Sequence, residues 1–185
     1  MHDIEPFYLW RDLYNSSEDE KSPFYKATYS EFTYSNKIYN YYVHPQWDSF
    51  GSANLYIKIL FVDYADGFAI IELIGEWNDC IENDIMFLKR DIIDVMIQNK
   101  IKYFILLCEH VLNFHGSDDC YYEEWKEDIS DEGGWICFIN ILEHVKDQMK
   151  RTLLQYHTNF GKKFNDLNWR KMTPTILFEY IDQKI

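Results

Sequence analysis

From residue 55 onward the apolar and polar positions fall into a regular succession. "LYIKILFVDY" and "FAIIELIGEW" are two strand-like runs, and "ADG" between them is a hairpin turn. Ile81, Ile85, Leu88, Ile92 and Val95 then recur at steps of four, three, four and three, which predicts one buried helical face. Asp79, followed three residues later by Glu82, is the capping pattern expected at the start of that helix, and "NK" at 99–100 ends it. "KYFILLCEHV" is a continuous apolar run, as expected of a strand covered on both faces. "DDCYYEEWKEDISDE" reads as an acidic helix near the surface, and "GGWICFINI" as a buried strand behind a glycine turn. Asn140 with Glu143 is the cap expected for a further helix, whose buried stripe would be Val145, Met149, Thr152, Leu153 and Tyr156. "NFGK" closes it, and "TPTILFEYI" fits either a last short strand or a helix started by Pro174.

Strand–helix–strand connections imply parallel neighbours, whereas the first two strands form an antiparallel edge. The expected fold is therefore α/β: a mixed β-sheet with an antiparallel edge hairpin, parallel crossovers and helices packed on one face or both. Residues 1–50 differ in character. They hold the acidic loop "NSSEDEKSP" and the stretch "YSEFTYSNKIYNYYV", which reads as a β-hairpin turning near Ser35–Asn36–Lys37. "HPQWDSFGSAN" follows as a loop punctuated by Pro45 and Gly51. The expected organisation is a Tyr-rich extension over 1–50 and an α/β domain over 51–185, forming one compact unit. The hairpin at 29–43 would cover an edge of its own sheet or pair with a second copy in a homodimer.

Composition narrows the class of partner. At 185 residues with 47% hydrophobic content, the chain can bury a sizeable core. The net charge of −13 opposes a phosphate backbone and an anionic membrane surface, and favours a protein partner with a basic face. The same acidity would keep a chain with 18% aromatic residues in solution. Cysteines occur at 80, 108, 120 and 137 with no CxxC pair, and Cys108 and Cys137 lie in apolar runs where reduced thiols are usual. "MHDIEPFYLW" lacks a basic start and a long apolar stretch, and the chain has no apolar run of about 18 residues. A cytoplasmic protein is expected.

The order of elements, with "ELIGEW", "YFILLCEHVLNFHGSDDC", "GGWICFINILEHV" and "LLQYHTNFG" at their places, resembles the STAS domain of bacterial anti-anti-sigma factors over about residues 55–165. In that family a buried strand runs into an Asp-Ser-Ser-Gly turn that opens the second helix, and the second Ser is phosphorylated. The resemblance implies a non-enzymatic regulatory, signalling or protein-interaction domain, without a cofactor, and puts the phosphosite at Ser117. The neighbouring positions depart from the pattern. His115 stands for Asp, Gly116 for the first Ser, and Asp118 for Gly. Two aspartates beside Ser117 would repel a phosphate, and equally fit a permanently acidic version of the turn.

The residues themselves leave three readings. Ser117 serves as a phosphosite, or as the N-cap hydroxyl of a helix beginning at Asp118. A partner would dock on His115, Gly116, Asp118 and Asp119, with Tyr121, Tyr122 and Trp125 of the acidic helix as aromatic anchors. Alternatively His110, His115, Asp118 and Asp119 form a metal or enzyme site. Against that, Glu109 and His110 are adjacent, so on a strand they point to opposite faces. Pairing Cys108 or Cys120 with His110 or His115 for nucleophilic chemistry is not forced by any spacing. The chain has neither a G-x-S-x-G turn nor a P-loop. No metal or catalytic set is therefore assigned from sequence, and a turn with a purely structural role completes the alternatives.

Overall fold

The computed structural model describes residues 3–185. A four-stranded sheet runs in the order β3 (Leu55–Asp63), β4 (Phe68–Asn78), β5 (Tyr103–His115), β6 (Trp135–Ile139). β3 and β4 pair antiparallel; β4–β5 and β5–β6 pair parallel. β1 (Lys37–Ile38) and β2 (Tyr41–Tyr42) make a separate small antiparallel ribbon. The architecture is the mixed sheet with an antiparallel edge hairpin and two parallel crossovers that the hydrophobic pattern predicts.

The two faces of the sheet are covered differently. Ile57, Ile71, Phe104, Leu106 and Phe138 face the crossover helices, with Ile85, Leu88, Tyr122, Trp125, Ile129, Val145 and Met149 in the same core. These helices are α1 (Asp84–Phe87), a π-helical segment Leu88–Ile93, α2 (Asp94–Gln98), α3 (Cys120–Ser130) and α4 (Glu143–Arg151). The opposite face carries Leu60, Phe68, Ile70, Ile105, Leu107 and Cys137, and is covered by Trp10, Trp169 and α5 (Pro174–Asp182) through Leu177 and Ile181. The small ribbon packs Ile38, Val43 and Trp47 onto Tyr56 and Ile74, so it covers its own sheet. Both edges are shielded as well: Asp48 bridges to Ile57 on β3, and Asn159 bridges to Cys137 on β6.

Local geometry departs from the periodicity in identifiable ways. The ribbon turns at Tyr39–Asn40, with Tyr39 at φ 53°, rather than near Ser35–Asn36–Lys37. The first crossover helix starts at Asp84 because Asn83 sits in the left-handed region at φ 56°, so Asp79 is not its N-cap residue and Ile81 is 81% exposed. The π-helical segment inserts an extra residue per turn and rotates the buried stripe from Val95 to Ile93 and Met96. It also turns Lys89 wholly into the interior. Asn140 is not a helix cap. It is at φ 54°, its amide donates to Leu167 O (2.9 Å) and its Oδ1 accepts from Leu167 N (2.9 Å). α4 stops at Arg151, and Leu153 (φ 64°) and Tyr156 are exposed where a buried stripe was expected. The undecided segment 174–182 is helical: Thr173 Oγ1 accepts from Ile176 N, with Pro174 in the first turn.

Candidate functional site

β5 runs on to His115 after its last pair with β6, Leu107–Ile139, so the turn after it stands at a corner of the sheet. Its base is tied to the end of β4. Asp79 N and Cys80 N both donate to His115 O (2.9 and 3.0 Å), and the Cys80 thiol donates to Gly116 O (2.8 Å). Beneath this clasp the buried Asp79 carboxylate accepts three hydrogen bonds. Trp77 Nε1 and Ile85 N reach Oδ1 (2.8 and 2.9 Å), and Tyr122 OH reaches Oδ2 (2.8 Å). Burial still dominates and pushes the Asp79 carboxyl up to about 7. From the other side, Gln148 of α4 accepts from Phe114 N (3.0 Å) and donates to Asn113 Oδ1 (2.7 Å).

Gly116 has no room for a side chain: a Cβ there would lie 2.4 Å from Thr152 Cγ2 and 2.6 Å from Phe114 Cε1. The turn borders an open cleft of about 360 Å³ walled by Cys80, Ile81, His115, Arg151 and Thr152 among others. His115 and Ser117 are exposed. Ser117 is not the N-cap: α3 begins at Cys120, with Asp119 at the cap position. Asp118 Oδ1 accepts from Cys120 N (3.2 Å), and its bonds with Cys120 hold its carboxyl below the usual range. Asp119 Oδ2 lies 2.9 Å from His157 Nε2.

Two expected anchors are in the core. Tyr122 and Trp125 are fully buried: Tyr122 is bound to Asp79, and the Trp125 ring packs edge-on against Phe104 at 5.1 Å. A helix needs an inward stripe, and Tyr122, Trp125 and Ile129, at steps of three and four, form it. The exposed face of α3 is acidic. Glu123, Glu127, Asp131 and Glu132 lack an ion-pair partner among the described residues, and the last turn carries no basic residue. Arg90 pairs with Glu124 (2.5 Å), and the buried Lys89 reaches Asp94, Asp128 (2.8 Å) and Glu124 (3.5 Å), pinning α3 to the first crossover helix.

The set His110, His115, Asp118 and Asp119 is not one site. His115 Nε2 lies 2.7 Å from Asn113 Nδ2, Asp119 belongs to His157, and His110 lies on the opposite face of the sheet. Glu109 and His110 do not point to opposite faces. Glu72 pairs with Leu107 and Ile74 with His110, so β5 holds an extra residue here, and this bulge turns both side chains to the face of Glu72. Glu72, Arg170 and Trp169 complete a polar group there that the sequence does not reveal. Glu72 looks like one charge inside the apolar run "FAIIELIG", and its companions lie 37 to 98 residues away. Burial pushes the Glu72 carboxyl up to about 7.

Cys108 and Cys137 are buried free thiols raised by burial, which suits apolar packing rather than nucleophilic chemistry. No helix among the described residues is long and apolar enough to cross a membrane.

No family model and no curated protein matches this chain. Among solved structures it is similar to that of a proposed anti-sigma factor antagonist from Thermotoga maritima. The identity is 20%, the overlap covers 68% of this chain and 92% of that one, and the TM-score is 0.45.

Proposed function

We propose that this chain is a non-enzymatic protein-interaction domain that docks a partner with a basic face on the 115–119 turn and the outer side of α3. One observation carries this reading: a row of carboxylates without an ion-pair partner among the described residues runs from Asp118 through Glu123 and Glu127 to Asp131 and Glu132. The last two stand at the helix C-terminus, where the macrodipole opposes negative charge by about 0.3–1 kcal/mol each. A fold gains nothing internally from that arrangement, whereas an approaching basic surface would relieve it. The clasp under the turn supports the same reading, because it presents His115, Gly116, Asp118 and Asp119 on a rigid corner with little ordering entropy left to lose on binding. Tyr121, half-buried beside Arg90, is the aromatic residue of α3 that remains within reach of a partner. Ser117, exposed on the turn, is the group whose phosphorylation would deepen the negative potential there.

The test compares the wild type with an Asp118→Lys/Glu123→Lys/Glu127→Lys variant. Partners are captured from host extract and then measured as purified proteins. Affinity for a true partner falls at least about tenfold in the variant and weakens with salt. Equal affinity in both chains at low and high salt refutes docking on this face. For the switch, mass spectrometry of protein from cells and after kinase treatment detects phosphate on Ser117, and an unmodified Ser117 in both removes it.

A further inference from the structure

The opposite face of the sheet carries a second polar group, remote from the docking corner. Glu72 is fully buried there in the middle of β4. Its Oε2 accepts from Phe7 N (2.8 Å), but its Oε1 accepts no hydrogen bond. A buried carboxylate oxygen without a donor calls for an explanation. The nearest cation does not supply one. Arg170 Nη2 meets Glu109 Oε1 at 2.5 Å yet stays 3.6 Å from Glu72 Oε1. His110 Nε2 is 3.9 Å from that same oxygen. One donor atom from each of Glu72, Glu109 and His110 lies within 4.8 Å of the others.

We propose that Glu72, Glu109 and His110 bind one divalent transition-metal ion, for which Zn²⁺ is the probe. Two carboxylate oxygens and one imidazole nitrogen are a donor set for borderline ions, and the imidazole selects against Mg²⁺ and Ca²⁺. A tetrahedral ion with bonds of about 2.0–2.1 Å needs donor separations of about 3.3 Å, so side-chain rotations alone close the set. The bulge in β5 is what makes it available, since a regular strand would turn Glu109 or His110 away. Glu109 is held from behind by Trp169 Nε1 (3.2 Å), the outer contact that orients a ligating carboxylate. A cleft of about 480 Å³, bordered by residues 3–9, His110 and Arg170, leads to the group. Arg170 is the competitor. Its guanidinium, 41% exposed, neutralises Glu109 in the absence of an ion and swings outward when one binds.

The experiment is isothermal titration of Zn²⁺ into the full chain, with Mg²⁺ as the comparison. One Zn²⁺ binds per chain and Mg²⁺ gives no saturable heat. Glu72→Gln and His110→Asn each weaken Zn²⁺ at least about tenfold, and Arg170→Gln strengthens it several-fold. Should Glu72→Gln fail to fold, His110→Asn decides, because the partly exposed imidazole holds no other element in place. Co²⁺ adds a second readout: an oxygen- and nitrogen-ligated ion shows no thiolate charge-transfer band. Absence of Zn²⁺ binding overturns the proposal. So does binding unaltered by His110→Asn, or a thiolate band that points to Cys80 or Cys120 instead.

Discussion

Replacing Asp79 by asparagine separates the two roles of the residue beneath the turn. A carboxyl moved from 3.8 to about 7 by burial binds its proton about 4 kcal/mol more tightly in the folded protein than in the unfolded chain. Between those two values the native state holds more protons than the unfolded state, so stability falls as pH rises from about 4 to about 7 and levels off above. Asparagine stays neutral in both states and removes that slope. It also copies the protonated acid: its Oδ1 still accepts from Trp77 Nε1 and Ile85 N, and its amide donates to the Tyr122 hydroxyl just as a protonated Oδ2 would. Urea unfolding followed by tryptophan fluorescence should therefore find Asp79→Asn more stable than the wild type by about 1.6 kcal/mol at pH 5, where the unfolded aspartate is already ionised, and by up to about 4 kcal/mol at pH 8. Comparing the two proteins at each pH cancels remote buried acids such as Glu72. Asp79→Ala is the contrast. It strands the Trp77 and Ile85 donors at about 1–3 kcal/mol each, at either pH. A difference between Asp79→Asn and wild type that is flat from pH 5 to 8 would refute burial as the dominant influence on this carboxylate.

Other consequences can be checked with the same unfolding assay. Lys89→Ala should destabilise the fold by about 2–3 kcal/mol, because three partly exposed carboxylates lose the buried charge that joins α3 to the first crossover helix; Lys89→Met, which keeps the stem, should cost less. A loss under about 0.5 kcal/mol for the alanine variant would mean the pairs contribute nothing. Gly116→Ala should cost about 1–3 kcal/mol by pushing a methyl into Thr152 and Phe114, and adding Thr152→Ala should return part of it. Strict additivity of the two substitutions would show that the contact with Thr152 is not the cause.

The parts of this structure legible in the sequence are those set by local period and by apolar runs. β3, β4, β5 and β6 are continuous hydrophobic stretches with turn residues between them, and their order alone implies an antiparallel edge and two parallel crossovers. The errors gather where one backbone irregularity changes which way a side chain points. A left-handed Asn83 moves the cap of the first crossover helix from Asp79 to residue 83, and a π-helical segment rotates its stripe and buries Lys89. Neither leaves a mark in the hydrophobic pattern, because both are compatible with the residues a regular helix would use.

The bulge in β5 is the same kind of irregularity with a larger consequence. Period-two reasoning sends Glu109 and His110 to opposite faces, and that inference is sound for any strand whose register is intact. One extra residue between the Glu72–Leu107 and Ile74–His110 pairs reverses it, and places two donors beside a carboxylate from another strand. Bulges disrupt the ladder and leave a residue unpaired, so one in the middle of a long parallel pairing needs something to offset that loss. Apolar packing is a poor source here, since the side chains it redirects are Glu109 and His110 rather than hydrophobic ones. The polar group they form with Glu72 and Arg170 is what the bulge accomplishes. A Glu109→Leu/His110→Val variant tests whether the bulge exists for that group: it should keep the fold, and its amide-exchange protection along 107–111 should rise if the register becomes regular. Unchanged exchange would mean that the bulge is fixed by the surrounding backbone and that Glu109 and His110 merely occupy it.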